Sequence, residues 1–304
     1  MDEIKPIKIN KEMKVSELVG QMADAGFGAR KIGRACQIAK KIFSEKKCAV
    51  FLGMAGAMVP AGMKQIIIDL VKEKKIDVLV TTGANLTHDL IEALGEKHFH
   101  CDLWNDREFH KKGFDRIYNV FMKNDVYEKL EDFFEKNWDK LCEAGNIKEF
   151  LSKIASLLPE DSNSILRACY DNNVHIYCPA IADSGIGLMV WGRAAGRKFK
   201  KINIDAFDDL KDIIDFAWKS EKKAVIYIGG GVPKNFIQQA LQVSSGADYG
   251  IQITTDSPFP GGSSGAPLEE GKSWGKLKED ADEMNYADVY CDATIALPLI
   301  FADV

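Results

Sequence analysis

The sequence predicts an α/β fold, doubly wound on a mostly parallel sheet with helices on both faces. Three observations predict it. Apolar runs of strand length repeatedly end at glycine or a small polar residue and give way to residues spaced for a helix, as βα units do. The first two such switches, after Gly53 and Thr82, are separated by about 30 residues, the repeat expected of consecutive βαβ units. No Pro/Ser-rich linker interrupts the chain, so residues 1–304 are expected to form a single domain, with 1–45 as a helical lead-in.

Taken in order, residues 1–12 are charged and read as an irregular arm. Ser16 to Phe43 holds two helical patterns broken near Gly26 and Gly28, the second with Ile32, Ala35, Cys36, Ile38, Ala39 and Ile42 on one face. Lys47 to Gly53 is an apolar strand. The small-residue turn from Met54 to Gly62 and a helix from Met63 to about Lys74 follow, an arrangement that lets backbone amides approach a phosphate. Ile76 to Thr82 is a second strand, and Gly83 opens a helix through Leu94. In such sheets ligands sit beyond the carboxyl ends of the strands, where both turns fall. Residues 99–170 read as helical and charge-rich, with Tyr127, Leu130, Phe133, Phe134, Trp138 and Leu141 inward on one helix, and a further helix begins after Pro159. His175 to Ala180 is a third strand leading to Asp183 and Gly185, and a helix follows within 203–220. Ala224 to Ile228 is a fourth strand, and Gly229, Gly230 and Gly231 after it signal close backbone approach to a ligand. A helix follows, with Asn235 as its expected N-cap. Tyr249 to Thr255 is a fifth strand and Ala287 to Asp292 a sixth, before a closing helix.

Composition narrows the function. With 40 basic and 45 acidic residues the net charge is −5, which offers no basic stripe to nucleic acid. The apolar runs are too short or too often broken by Gly and Pro to span a membrane, and the first residues lack a signal peptide's pattern. A cytoplasmic protein without membrane or nucleic-acid partners is expected. Seven scattered cysteines without a C-x-x-C pair read as reduced thiols, and His98 and His100 lack the companions of a metal site, so no metal is expected.

The segment Thr254 to Lys276 carries the chemistry. Pro258, Pro260, Gly261, Gly262 and Gly265 exclude a regular element, and long loops inside compact domains tend to be functional. It ends on Ser273, Trp274, Gly275 and Lys276. A lysine held against an indole face loses hydration, which favours its neutral, nucleophilic amine. The alternative is a surface lysine on a turn. A pyridoxal enzyme using Lys276 is disfavoured, since no phosphate cup or pyridinium partner is identifiable.

At the triple glycine and the segment ending in Lys276 the chain resembles the deoxyhypusine synthase family, on its divergent archaeal and bacterial side. Phe51–Gly53, Asp77–Thr82, Gly229–Gly231, Gly246–Tyr249, Ser264–Ala266, Glu270, Ser273–Lys276 and Tyr290–Ala293 fall in order with family-like spacing. The resemblance implies a homotetramer of Rossmann-like subunits that uses NAD to oxidise spermidine, holds the four-carbon fragment on a lysine as an imine, and passes it to a lysine of the initiation factor 5A precursor. Carried over by position, it implies Lys276 as the nucleophile, Trp274 stacking on the substrate's carbon chain and Glu270 binding an amine. His88, Asn235, Gly261, Ser263 and Ser264 are the other substrate positions. NAD would take Gly56, Ala57, Met58, Val59, Pro60, Thr82, Gly83, Ala84, Asp183, Gly230, Thr255, Asp256, Asp292 and Ala293. Eukaryotic-type members place acidic residues where this chain has Thr87 and His88, Leu188 and Ser263, and a histidine at Asn235, so the amine bound is expected to differ or bind more weakly. Two alternatives stay open: transfer to a free amine such as putrescine, as in a homospermidine synthase, or an NAD-binding homologue without turnover.

Overall fold

The computed structural model describes residues 3–102, 105–196, 199–302 and 304. The chain begins with α1 (Val15–Met22) and α2 (Phe27–Ser44), then β1 (Cys48–Met54), α3 (Lys64–Lys72), β2 (Val78–Thr81) and α4 (Gly83–Ala93). Next come β3 (Phe99–His100), α5 (Asp106–Lys111), β4 (Phe114–Ile117), β5 (Val120–Lys123), α6 (Val126–Leu141), α7 (Ile147–Ser156) and α8 (Ile165–Asn172). The remainder is β6 (His175–Tyr177), α9 (Gly185–Ala195), α10 (Ala206–Lys219), β7 (Lys222–Ile228), α11 (Gly231–Gln242), β8 (Tyr249–Thr254), α12 (Glu270–Ser273), β9 (Tyr286–Tyr290) and α13 (Ala293–Ile300).

Six strands form one sheet in the order β6-β2-β1-β7-β8-β9, and β1 to β7, β7 to β8 and β8 to β9 all pair in parallel. The α/β class expected from the strand-to-helix switches is thus the observed one. No helix among the described residues is long and apolar enough to cross a membrane.

The chain divides into two compact units. The first comprises Met1–Ala55, Lys74–Val80 and Leu210–Val304. Its core is the apolar strand set, with Phe51, Leu52, Ile226 and Ile251 unexposed. Helix α2 packs on β8 and β9, and α11 lies against β1. Helix α10 reaches β1 where Phe216 meets Phe51 edge to face, ring centroids 5.7 Å apart. Chain order reverses between β1 and β7, which makes their carboxyl ends a topological switch point. There Ala55 N donates to Ile228 O and Gly229 N to Ile253 O, both at 2.8 Å.

The second unit comprises Gly56–Glu73 and Thr81–Asp209 and is mainly helical, with α4 against α6, α8 and α9. Of the six residues expected inward on α6, Leu130, Phe134, Trp138 and Leu141 are buried and Tyr127 and Phe133 half-buried. The structure corrects the all-helical reading of residues 99–170. Strands β3, β5 and β4 make a small antiparallel sheet, turned at Tyr118 (φ +52°) between the paired Ile117 and Val120. Phe109, Phe114 and Phe121 pack mutually at 5.2–5.7 Å, and Phe99 stacks on Phe121. Strands of two to four residues show almost no periodicity, and tertiary aromatic packing outweighs their weak local signal. Helix α8 starts at Ser164, whose hydroxyl accepts from Arg167 N, five residues beyond Pro159. Helix α9 is absent from the sequence reading, because its glycines mask its period; Ser184 caps it.

Candidate functional site

In the first unit, β7 runs into Gly229 and Gly231, both at positive φ (+71° and +60°). A Cβ on Gly230 would collide with the Ser264 backbone, so glycine here is a condition of close approach by the long segment after β8. Helix α11 begins at Gly231 with Gly230 as N-cap and no side-chain cap. Asn235 therefore lies inside the helix and is not its N-cap, since the glycines already turn the chain into helix four residues earlier.

Lys234, in the first turn of α11, is 1% exposed. Its Nζ donates to Ser263 O at 2.6 Å and to Ala266 O at 2.7 Å. Burial lowers its pKa to about 8, while the carboxylates of Asp288 and Glu270 favour the charged form and Lys276 opposes it. Gln252 Nε2 also donates to Ala266 O (3.0 Å), and Thr254 Oγ1 to Ser264 O (3.2 Å). Ser264 Oγ donates to Asp256, and hydrogen bonds from Ser264 and from Ser257 N hold that carboxyl below its usual range. The segment is thus fastened at its middle, while Gly261 (φ +74°) is exposed with open space around it.

The end of the segment is the short helix α12, where the sequence predicts no regular element. Gly275 N donates to Lys272 O (3.1 Å) and Lys276 N to Gly271 O (2.8 Å), with Gly275 at φ +69°. This pair is a Schellman stop, which demands the glycine and delivers the next residue at a fixed place. Lys276 O in turn accepts from Ala247 N at 3.1 Å, so the lysine's backbone is held from both sides. Its side chain is half-buried, with Nζ 5.0 Å from the centroid of the Trp274 ring, itself 55% exposed. Glu270 is exposed on the first turn of α12. After β9, Cys291 N bonds Thr254 O (3.2 Å), which sets Asp292 and Ala293 beside Thr255. Asp292 caps α13, accepting from Thr294 N (2.7 Å) and Oγ1 (2.6 Å).

In the second unit, Val59 N donates to Oδ1 of the fully buried Asn85 (3.3 Å), whose Nδ2 reaches Thr81 Oγ1 and Thr82 Oγ1. One side chain therefore ties the Gly56–Pro60 turn to the N-terminus of α4, where Thr82 caps and Gly83 and Ala84 begin the helix. Gly83 packs on Ser184, next to the exposed Asp183, and a Cβ there would collide. Thr87 is 3% exposed; its hydroxyl donates to Gly83 O (2.8 Å) and accepts from Ile186 N (3.2 Å), a tie between α4 and α9. Leu188 is exposed on α9. His88 is half-buried and bonded to His98 at 2.9 Å. His98 precedes β3, so it does not share a strand face with His100. The seven cysteines are all free, and burial pushes Cys48 and Cys178 up to about 12, which leaves them inert as nucleophiles at neutral pH.

Sequence reasoning singled out neither Lys234 nor Asn85. A lysine in the first turn after three glycines ordinarily faces water, and only the carbonyls of Ser263 and Ala266 explain its burial. Asn85, three residues past a capping threonine, carried a local signal that the glycine reading overlooked.

A family model described as deoxyhypusine synthase matches residues 17–304. A relative from Methanosarcina acetivorans named "Probable deoxyhypusine synthase 1" is 42% identical over 304 residues, 99% of this chain and 94% of its own. One of the same name from Archaeoglobus fulgidus is 41% identical over 297 residues, 97% and 95% of the two chains. The solved structure of "a putative deoxyhypusine synthase from Entamoeba histolytica" superposes with a TM-score of 0.67 at 20% identity, covering 98% of this chain and 95% of that one.

Proposed function

The chain belongs to the deoxyhypusine synthase family, and from that premise we propose that it transfers the aminobutyl group of spermidine, with NAD, to a lysine of the initiation factor 5A precursor. The observation that carries the reading is Lys276: a half-buried lysine whose backbone is fixed on both sides and whose Nζ lies against an exposed indole. Such a residue is positioned for nucleophilic attack and has a flat apolar surface beside it for an alkyl chain.

The residues present suit a dinucleotide. Helix α11 has twelve residues, no side-chain cap and a glycine N-cap at the switch-point end of β7, which leaves amides for a phosphate. In the first unit, Gly230, Thr255, Asp256, Asp292 and Ala293 are assigned to NAD. The positions that the family resemblance assigns to it in the second unit, taken by itself, are Gly56, Ala57, Met58, Val59, Pro60, Thr82, Gly83, Ala84 and Asp183. When bound, NAD supplies a hydride acceptor for oxidation of an amine carbon. The chain's own part is to hold and time. Lys276 forms the imine to the four-carbon fragment, Trp274 stacks on its methylenes and Glu270 takes a terminal ammonium. Ser263 and Ser264, in the middle of the segment, are held through their carbonyls by Lys234 and Thr254, and Gly261, with open space around it, allows its tip to shut out water that would hydrolyse the imine. Asn235 is a further amine position of the first unit, and His88 is the position that the family resemblance assigns to the amine in the second. A homotetramer in the cytoplasm is part of the proposal.

Incubation with NAD, spermidine and the factor precursor, followed by mass analysis, tests the reading. Release of 1,3-diaminopropane and an aminobutyl adduct on the precursor supports it. An adduct on putrescine alone identifies the acceptor as a free amine.

A further inference from the structure

A polar row crosses the sheet of the first unit. In register, Gly53 of β1 stands beside Tyr227 of β7, Tyr227 beside Gln252 of β8, and Gln252 beside Asp288 of β9. Registered residues of parallel strands share a face, so these side chains are neighbours. Strands covered on both faces ordinarily read as apolar throughout, and the preceding row of Leu52, Ile226, Ile251 and Ala287 obeys that rule. Tyr227 and Gln252 are buried and Asp288 half-buried. Lys234 of α11 covers the row, its Nζ 5.9 Å from the Tyr227 ring centroid, and the segment after β8 lies on it through Gln252 Nε2 and Ala266 O. At the β9 end, Leu268 N lies within hydrogen-bonding reach of both Asp288 oxygens, at 3.1 and 3.3 Å. The Leu268 side chain is buried beside Gly250 of β8, where a Cβ would meet its Cδ1 at 3.0 Å.

From Leu268 the tie runs on to the lysine through the backbone. Leu268 O accepts from Gly271 N at 2.9 Å, and Gly271 O accepts from Lys276 N at 2.8 Å and Leu277 N at 3.2 Å. Two backbone links therefore separate the Asp288 carboxyl from the residue that carries the nucleophilic amine. Charge is not what Asp288 supplies. The Leu268 amide, Lys234 of α11 and Lys31 of α2 favour its carboxylate and Glu269 opposes it, yet burial outweighs the favourable groups and pushes the carboxyl up. What the residue offers is an acceptor at a fixed place on β9. Its neighbour Gln252 has a buried Oε1 with no donor among the described residues. An asparagine at 288 would keep the acceptor for Leu268 N and add an N–H on a strand position beside that oxygen.

We propose that Asp288 is a positioning residue for Lys276, fixing through the amide of Leu268 the turn from which the nucleophile projects. Lys234 and Gln252 hold the middle of the segment; Asp288 holds its end, the part that carries Glu270 and Lys276. Without the acceptor, Leu268 N loses its partner and the start of α12 is free to shift. A reacting amine displaced by about 1 Å forfeits roughly 10²-fold in rate although no group that touches substrate has changed. What Lys276 attacks is taken from the transferase reading, on which the kinetic part of the proposal rests; the tie itself does not depend on it.

The test compares the full wild-type chain with Asp288→Ala and Asp288→Asn. Hydrogen exchange at the Gly271 and Lys276 amides should quicken about tenfold in Asp288→Ala, as loss of one hydrogen bond allows, and stay near wild type in Asp288→Asn. With NAD and spermidine, the rate of imine formation on Lys276, trapped by borohydride in a single turnover, should fall roughly 10²-fold in Asp288→Ala and recover in Asp288→Asn. The final amount trapped counts folded sites and should hold in both. A merely structural role would lower that amount and leave the rate. Asp288→Val, which suits a strand and offers no acceptor, replaces Asp288→Ala should the latter fail to fold. Unchanged exchange at Gly271 and Lys276 without the acceptor, or an Asp288→Asn chain as slow as Asp288→Ala, overturns the proposal. Exchange needs no turnover, so a wild-type chain that forms no imine would sink the transferase reading and leave exchange to decide the tie.

Discussion

At the scale of single residues, two lysines of the first unit divide the work. Lys276 is the proposed nucleophile, and Lys276→Ala is expected to abolish covalent trapping of the substrate fragment by borohydride while NAD binding, read by protein fluorescence, stays within about twofold. Lys234 is a fastener: Lys234→Met leaves Ser263 O without its donor while Ala266 O keeps Gln252. Losing a buried partner costs about 1–3 kcal/mol, measurable by denaturant unfolding. The same residue gives a pH dependence with a definite sign. Its folded pKa of about 8 lies below the ordinary lysine value of 10.5. The unfolded chain therefore holds the proton more tightly in that window. Lys234 contributes stability that is present above the ordinary lysine range and lost as pH falls to about 8. The stability of wild type relative to Lys234→Met should rise between these limits; a flat difference would show that the ammonium is not desolvated as described.

At the scale of elements, the strands and their glycine exits were legible from sequence because each βα unit is locally consistent, with apolar runs, small turn residues and a helical period in the expected places. The β3, β4 and β5 sheet was not, since its strands are short, its turn residue Tyr118 is not a turn former, and the Phe99, Phe109, Phe114 and Phe121 cluster exists only in three dimensions. The site shows the same division. Gly230 and Lys276 could be named from the sequence, whereas the Schellman stop that positions Lys276 needed the hydrogen bonds of α12, and the His98 partner of His88 needed the fold. Gly275→Ala should test the stop directly. Forcing a Cβ into left-handed backbone costs about 1–2 kcal/mol, and activity should fall further than stability alone explains because Lys276 shifts. Gly230→Ala is expected to push the segment off Ser264, and hydrogen exchange of residues 257–266 should speed up while that of β7 does not.

At the scale of the whole molecule, the family model matches nearly the full chain and the sheet has six strands, and the amine of the proposed reaction is where this chain's own residues matter. Thr87 ties two helices together and His88 is bonded to His98, so neither position supplies a carboxylate to a polycation. In the proposed reading, recognition of the amine by the first unit rests on Glu270 and Trp274. The most direct test of the account is the mass of an acceptor after incubation with NAD and spermidine. The account expects an aminobutyl adduct on a lysine of the factor precursor, equimolar 1,3-diaminopropane, and neither with Lys276→Ala; an adduct formed equally well by Lys276→Ala, or no adduct on the precursor or any amine with the wild-type chain, would contradict it.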